Sequence, residues 1–220
     1  MIKKILLVKS PSTNFINQNV SLRGGVTEDL EAPLGLAYLG AILRQENYEV
    51  EIFDPHIDCF AEFSETGNIQ VIKDTIQQKI SSTNADIVGI SCMFTYAYKW
   101  AHYIAKATRE LRPELTTIMG GGYPSTQLGE VLEDPNVDYV LSGEADLTFS
   151  LFLDYLNPHK DIDINQIGGL IYRQNGRIVT NPKTSFIDKL DDVPFPAWEL
   201  VDLEKYYKHG FGITSDGKRS

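Results

Sequence analysis

The chain has 220 residues, 42% hydrophobic and 23% charged, a composition that excludes disorder, collagen and coiled coil and allows one domain plus an extension. Lys and Arg number 20 against 30 Asp and Glu, a formal net charge of −10, so the chain lacks the basic face of a nucleic-acid binder and is ill suited to an anionic membrane surface. Only Cys59 and Cys92 carry thiols, which rules out a disulfide framework, and the apolar run that opens the chain stops at Val8, too short for a signal peptide. A cytoplasmic location with no membrane partner is the expectation.

In chain order, Ile5 to Val8 is a continuous apolar run, as buried parallel strands are. A long loop follows, from Ser10 to about Ala32, and loops of that length are commonly functional. Pro33 opens a helix whose Leu36, Leu39 and Leu43 recur at helical spacing. Tyr48 to Phe53 predicts a second strand, closed by Asp54-Pro55. Ile69, Ile72, Ile76 and Ile80 mark an amphipathic helix. Asp86 to Ser91 predicts a third strand, and Ala97 to Leu111 the helix after it. Leu115 to Met119 predicts a fourth strand, ending in Gly120-Gly121-Gly122. A short helix carries Leu128, Val131 and Leu132. Val137 to Leu141 predicts a fifth strand, ending in Ser142-Gly143-Glu144, and Phe149, Phe152 and Tyr155 lie on the helix that follows.

This alternation predicts an α/β fold over residues 1–158. The sheet expected is a flavodoxin-like or Rossmann-like doubly wound one, five-stranded and parallel, in the order 2-1-3-4-5. Asn175-Gly176 between two apolar runs predicts a β-hairpin within 159–182. Residues 183–220, with Pro194, Pro196 and Trp198, read as an extended linker that leads toward a further domain.

Ligands of such sheets bind beyond the carboxyl ends of the strands. Three candidate sites lie there. Ser91-Cys92-Met93 follows the third strand, although it also reads as a small residue closing a strand with Thr95 capping the next helix. Gly120-Gly121-Gly122 lets a large flat ligand approach the backbone, and one glycine would suffice for a turn. Glu144 is expected at a helix N-terminus, where capping alone would explain it. Gly120 to Gly122 is not the dinucleotide fingerprint, which belongs after the first strand. Asp54, His56, Asp58 and Cys59 lack a second Cys/His pair to complete a zinc site. The four histidines, His56, His102, His159 and His209, lie far apart, so no Ser–His–Asp grouping can be argued.

Ser91-x-Met93 and Gly121-Gly122 at these strand ends resemble cobalamin-binding domains. In those, the corrin lies over the strand ends and the nucleotide tail enters between sheet and helix. Many such domains have Asp-x-His-x-x-Gly after the first strand, whose histidine ligates cobalt. Residues 9–32 contain no histidine. The pattern is more similar to the N-terminal region of cobalamin-dependent radical S-adenosylmethionine enzymes. Pro33-Leu34-Gly35-Leu36-Ala37-Tyr38-Leu39 to Leu43 matches the first-helix motif of that family. Gly121-Gly122-Tyr123-Pro124-Ser125-Thr126 matches the motif after the fourth strand, and Gly143-Glu144-Ala145-Asp146 departs conservatively from Gly-Glu-Gly-Glu. Asp192-Val193-Pro194-Phe195-Pro196 matches the linker, with Tyr206 or Tyr207 after it.

The resemblance implies cobalamin held without a protein histidine on cobalt. It implies a site built from Ser10, Pro11, Leu34, Gly35, Ser91, Cys92, Met93, Phe94, Thr95, Gly120, Gly121, Gly122, Tyr123, Ser142, Gly143 and Glu144. The Cys-x-x-x-Cys-x-x-Cys cluster motif is absent from this chain. The resemblance therefore implies that a [4Fe-4S] cluster and S-adenosylmethionine belong to a C-terminal barrel outside it, with methyl transfer or related radical chemistry as the activity of the whole. A signalling or interaction domain of flavodoxin type, or a nucleotide binder, remains the alternative on the residues alone.

Overall fold

The computed structural model describes residues 2–13, 30–184 and 186–209. The parallel strands are β1 (Lys4–Lys9), β2 (Glu49–Phe53), β3 (Ile87–Ser91), β4 (Thr116–Gly120) and β5 (Tyr139–Leu141). Two more, β6 (Leu170–Gln174) and β7 (Arg177–Thr180), run antiparallel. Together they form one sheet of seven strands in the order β2-β1-β3-β4-β5-β6-β7. The parallel part has the expected order, and the expected five-stranded sheet is corrected to seven. The hairpin is not an appendage. β6 pairs with β5 through Tyr139–Tyr172, Val140–Ile171 and Leu141–Leu170, because β5 would otherwise leave a row of backbone donors and acceptors unpaired. Asn175 (φ 51°) and Gly176 (φ 75°) form the turn the dipeptide predicts.

Alternation along each strand sends side chains to two covered faces. Leu6, Val8, Val88, Ile90, Met119 and Val140 face one helical layer. It is made of α4 (Ile69–Ser82), with its isoleucine stripe, and α5 (Tyr98–Leu111), with Trp100 and Ile104. Ile5, Leu7, Ile87, Ile118 and Leu141 face the other, made of α1 (Leu34–Gln45) and α7 (Thr148–Leu156). Two short helices, α2 (Pro55–Asp58) and α3 (Phe60–Thr66), lie between β2 and α4. Asp54-Pro55 is thus a helix start rather than only a turn: Pro55 stands at the first helical position and the Asp54 carboxylate accepts from the His56 and Ile57 amides. The short helix expected around Leu128 is instead α6 (Gly122–Thr126) followed by a 3-10 turn at Glu130–Glu133.

The linker folds back onto the domain. The Ala197 amide donates to the Ala37 carbonyl at 3.0 Å, Arg44 pairs with Glu199, and Leu200 lies over Gly40 of α1. The last described helix, α8 (Leu203–Lys208), inserts Tyr206 into a small core with Leu30, Ala37, Ile57 and Val201. No described helix is long and apolar enough to cross a membrane.

Candidate functional site

Register sets the site. Leu7, Gly89 and Ile118 stand side by side in one row across β1, β3 and β4. Two positions further along each strand, Lys9, Ser91 and Gly120 form the row at the carboxyl edge, joined by Leu141 of β5. Both rows face the α1/α7 side, as the alternation of period two requires.

A cavity of about 160 Å³ opens between that face of the sheet and the two helices. Leu7, Gly89 and Ile118 form its floor, Leu36 and Leu39 of α1 one wall, and Phe149 of α7 the other. Ser91, Gly120, Gly143 and Asp146 stand at its mouth. A second, wider cavity of about 430 Å³ lies over the ends of β1 and β3. Lys9, Ser10, Ser12, the Glu31–Leu36 segment, Ser91, Met93, Phe94 and Tyr96 line it. The two are contiguous, since Gly35, Leu36, Ser91 and Met93 belong to both. The site is thus a broad shelf at the strand ends with a narrow slot descending from it. Its outer rim is apolar and open: Met93 is 56% exposed and Phe94 54%, and the Phe94 ring stacks on Tyr96 with centroids 5.4 Å apart.

Of the residues expected from sequence, Gly35, Ser91 and Met93 line both cavities, Ser10, Leu34 and Phe94 line the shelf, and Gly120, Gly121 and Gly143 line the slot. Pro11, Cys92, Thr95, Gly122, Tyr123, Ser142 and Glu144 line neither. Cys92 is fully buried in the core on the opposite face of the sheet. Burial pushes its thiol up to about 12 and that of Cys59 up to about 11. Tyr123 also turns to that face, where its hydroxyl meets His102 Nε2 at 3.2 Å while His102 Nδ1 meets Asp134 at 2.6 Å. Thr95 starts a 3-10 turn and does not cap α5 through its side chain. Glu144 is exposed and lies four positions ahead of α7, which begins at Thr148, so it is no helix cap. The acid that reaches the slot is Asp146, whose carboxyl burial holds above the usual range.

The glycine run has a different physical origin from the one the sequence offered. A Cβ on Gly121, where φ is +107°, would lie 2.5 Å from the Cys92 carbonyl oxygen. One on Gly122 would lie 2.4 Å from that of Met93. These two glycines let the loop after β4 close against the loop after β3, which fixes the shelf floor from within. Gly120 remains open, its nearest neighbour at 3.6 Å, and at Gly35 nothing lies within 4 Å. Sequence reasoning passed over Gly89. A glycine in the middle of a buried strand marks close approach of something to the backbone, and that was the available signal.

No group of His, Cys, Asp and Glu among the described residues could hold a metal ion, so Asp54, His56, Asp58 and Cys59 form no metal centre. The fit to a corrinoid rests on other features: an apolar slot under a broad shelf, and backbone at Gly35 and Gly120 that lines it without a side chain. Residues 14–29 of the long loop lie outside the described residues.

Among families of known proteins, the B12 binding domain matches residues 21–153. The chain belongs to the B12-binding domain family. It is 32% identical to an uncharacterized methyltransferase of Pyrococcus horikoshii over 97% of its own length and 42% of the relative's. It is 29% identical to the cytidylyl-2-hydroxyethylphosphonate methyltransferase of Streptomyces wedmorensis over 80% of this chain and 38% of that protein. The chain therefore spans less than half the length of these curated relatives. Two solved structures share its fold at 18% identity. One is the radical S-adenosylmethionine methyltransferase TsrM of Kitasatospora setae with cobalamin and a [4Fe-4S] cluster bound (TM-score 0.61, 92% of this chain, 34% of TsrM). The other is the cobalamin-dependent S-adenosylmethionine radical enzyme OxsB with aqua-cobalamin bound (TM-score 0.65, 94% of this chain, 25% of OxsB).

Proposed function

We propose that this chain is the cobalamin-holding region of a cobalamin-dependent radical S-adenosylmethionine enzyme and that its cobalt has no protein histidine ligand. The single observation that carries the reading is the contiguity of shelf and slot, which suits a disc lying over the strand ends with its tail between sheet and helices. Ser10, Ser12, Leu34, Gly35, Ser91, Met93, Phe94, Gly120, Gly121 and Gly143 are the residues assigned to hold it, joined by Lys9 and Asp146. The relatives named as methyltransferases and the domain match support it. The sequence from 9 to 32 has no histidine, and none of the described residues lining either cavity is one, which supports the ligand assignment.

When bound, cobalamin supplies methyl-transfer or related radical chemistry. The chain's own residues would do the holding. Ser91 would hydrogen-bond the rim of the disc, Gly35 and Gly120 would let it sit on backbone, and the apolar slot would keep water from the tail. The [4Fe-4S] cluster and S-adenosylmethionine belong, on this reading, to a further domain that residues 183–220 lead toward.

Titration calorimetry with hydroxocobalamin tests the first part, and binding in the micromolar range is expected. Electron paramagnetic resonance of the cobalt(II) form tests the second. Nitrogen splitting from a protein histidine would overturn the ligand assignment and leave the binding assignment standing.

A further inference from the structure

The shelf and the linker share a wall. Residues Glu31 to Leu36 line the shelf. Leu30, just before them, is buried in the small core with Ala37, Ile57, Val201 and Tyr206, and the last two belong to the linker. Pro33 lines the shelf and also a separate cavity of about 210 Å³, which Val201, Asp202, Lys205 and Tyr206 line as well. The wall is therefore one segment thick between the shelf and the linker, and its packing at Pro33 is incomplete.

A chain of hydrogen bonds crosses that boundary. Lys9 Nζ donates to the Glu31 carbonyl at 2.6 Å and to Asp54 Oδ2 at 2.9 Å. The Tyr206 hydroxyl donates to the same Asp54 oxygen at 2.9 Å. Asp54 and Tyr206 are both buried. Bonds that share a buried acceptor orient and strengthen one another. Loss of the linker's donor thus loosens Lys9, and with it the Glu31 carbonyl at the start of the wall.

We infer that the linker is part of the cofactor site without touching the cofactor. Tyr206, through Asp54 and Lys9, positions the Glu31–Leu36 wall, so that occupancy of the shelf and docking of the linker favour one another. The inference rests on the cobalamin reading above and goes beyond it by coupling that site to the segment that follows the domain. A ligand on the shelf favours the ordered wall, the ordered wall favours the docked linker, and linkage makes the effect reciprocal. Tyr206 is a positioning residue. A hydrogen bond to a buried charge is worth tenfold or more in an equilibrium constant, and the share that reaches the shelf is expected at about threefold to tenfold.

The test has two arms, both with hydroxocobalamin. Calorimetry gives the dissociation constant for the unaltered chain, Tyr206→Phe, Lys9→Met and the double variant, each under conditions where urea denaturation shows it folded. Tyr206→Phe is expected to bind about threefold to tenfold more weakly. In the Lys9→Met background the same change is expected to have no further effect, because the route is already cut. Unchanged affinity in Tyr206→Phe, or losses that simply add, would overturn the inference while the cobalamin reading stands. Hydrogen exchange of the unaltered chain supplies the reciprocal arm and does not depend on either variant folding. Cobalamin is expected to slow exchange of the amides in 197–208 more than that of the β6–β7 hairpin. Equal slowing in both regions would reflect general stabilisation and overturn the coupling. Failure of the unaltered chain to bind hydroxocobalamin would remove the cobalamin reading, and the inference with it.

Discussion

The Tyr206 hydroxyl donates to Asp54 Oδ2 at 2.9 Å, joining the last described helix to the end of the second strand. The same oxygen accepts from Lys9 Nζ at 2.9 Å, and Lys9 lines the shelf. Asp54 Oδ1 accepts from the amides of His56 and Ile57. One buried carboxylate therefore ties the cofactor shelf, the α2 turn and the linker together. A buried charge is tolerable only when its lone pairs are used in this way. Tyr206→Phe removes one partner and is expected to lower unfolding stability by about 1.5–3 kcal/mol, read from urea denaturation. A loss below a few tenths would show that the contact is not maintained in solution.

The same contact sets a pH dependence. Burial first, and then the neighbouring Asp54 charge, raise the Tyr206 hydroxyl above its ordinary value of 10.0. The folded state thus keeps a proton that the unfolded chain releases near pH 10. The stability this supplies is complete below that pH and declines as the pH rises above it. Denaturation midpoints between pH 8 and pH 11 are expected to fall at the alkaline end, and to fall less steeply in Tyr206→Phe.

Cys59 and Cys92 are expected to resist thiol reagents in the folded protein. Both are buried, and with thiols held up to about 11 and about 12 they carry almost no thiolate at neutral pH. A chromogenic disulfide reagent at pH 8 is expected to label neither until denaturant is added. Rapid labelling of the native protein would contradict the burial.

Gly35 poses a trade between stability and binding. It sits in α1 with nothing within 4 Å of where a Cβ would be, and it lines both cavities. Gly35→Ala is expected to raise stability by about 1 kcal/mol through helix propensity. It is also expected to weaken cobalamin binding, because the methyl occupies open space that the disc would use. Gly121→Ala is expected to do the opposite of the first part. Its Cβ meets the Cys92 carbonyl at 2.5 Å at a φ of +107°, so thermal stability drops whether or not ligand is present.

Much of this was legible before any coordinates. The strands from Ile5 to Val8 and Asp86 to Ser91 were visible because both faces are covered, which turns a strand into an unbroken apolar run. The Asn175-Gly176 turn was visible because few dipeptides accept positive φ at both positions. Where the hairpin docks was not, since the pairing of β6 with β5 depends on a backbone edge that carries no sequence signal. The slot was missed for a related reason: Leu36, Leu39 and Phe149 look like core residues, and only register reveals that Gly89 leaves room among them. Asp146 was overshadowed by Glu144, and only the start of α7 at Thr148 shows which acid turns inward.

The hairpin's place beside β5 also bears on how the protein can be shortened. A chain cut after Pro158 keeps every strand of the parallel sheet but strips β5 of its outer neighbour. Its bare rim would then invite strand-by-strand pairing with other copies, and such a fragment should precipitate or polymerise. Among the described residues the rim on that side is β7, a strand of four residues with an exposed Arg177, and short, charged edges make poor templates for a stranger's strand.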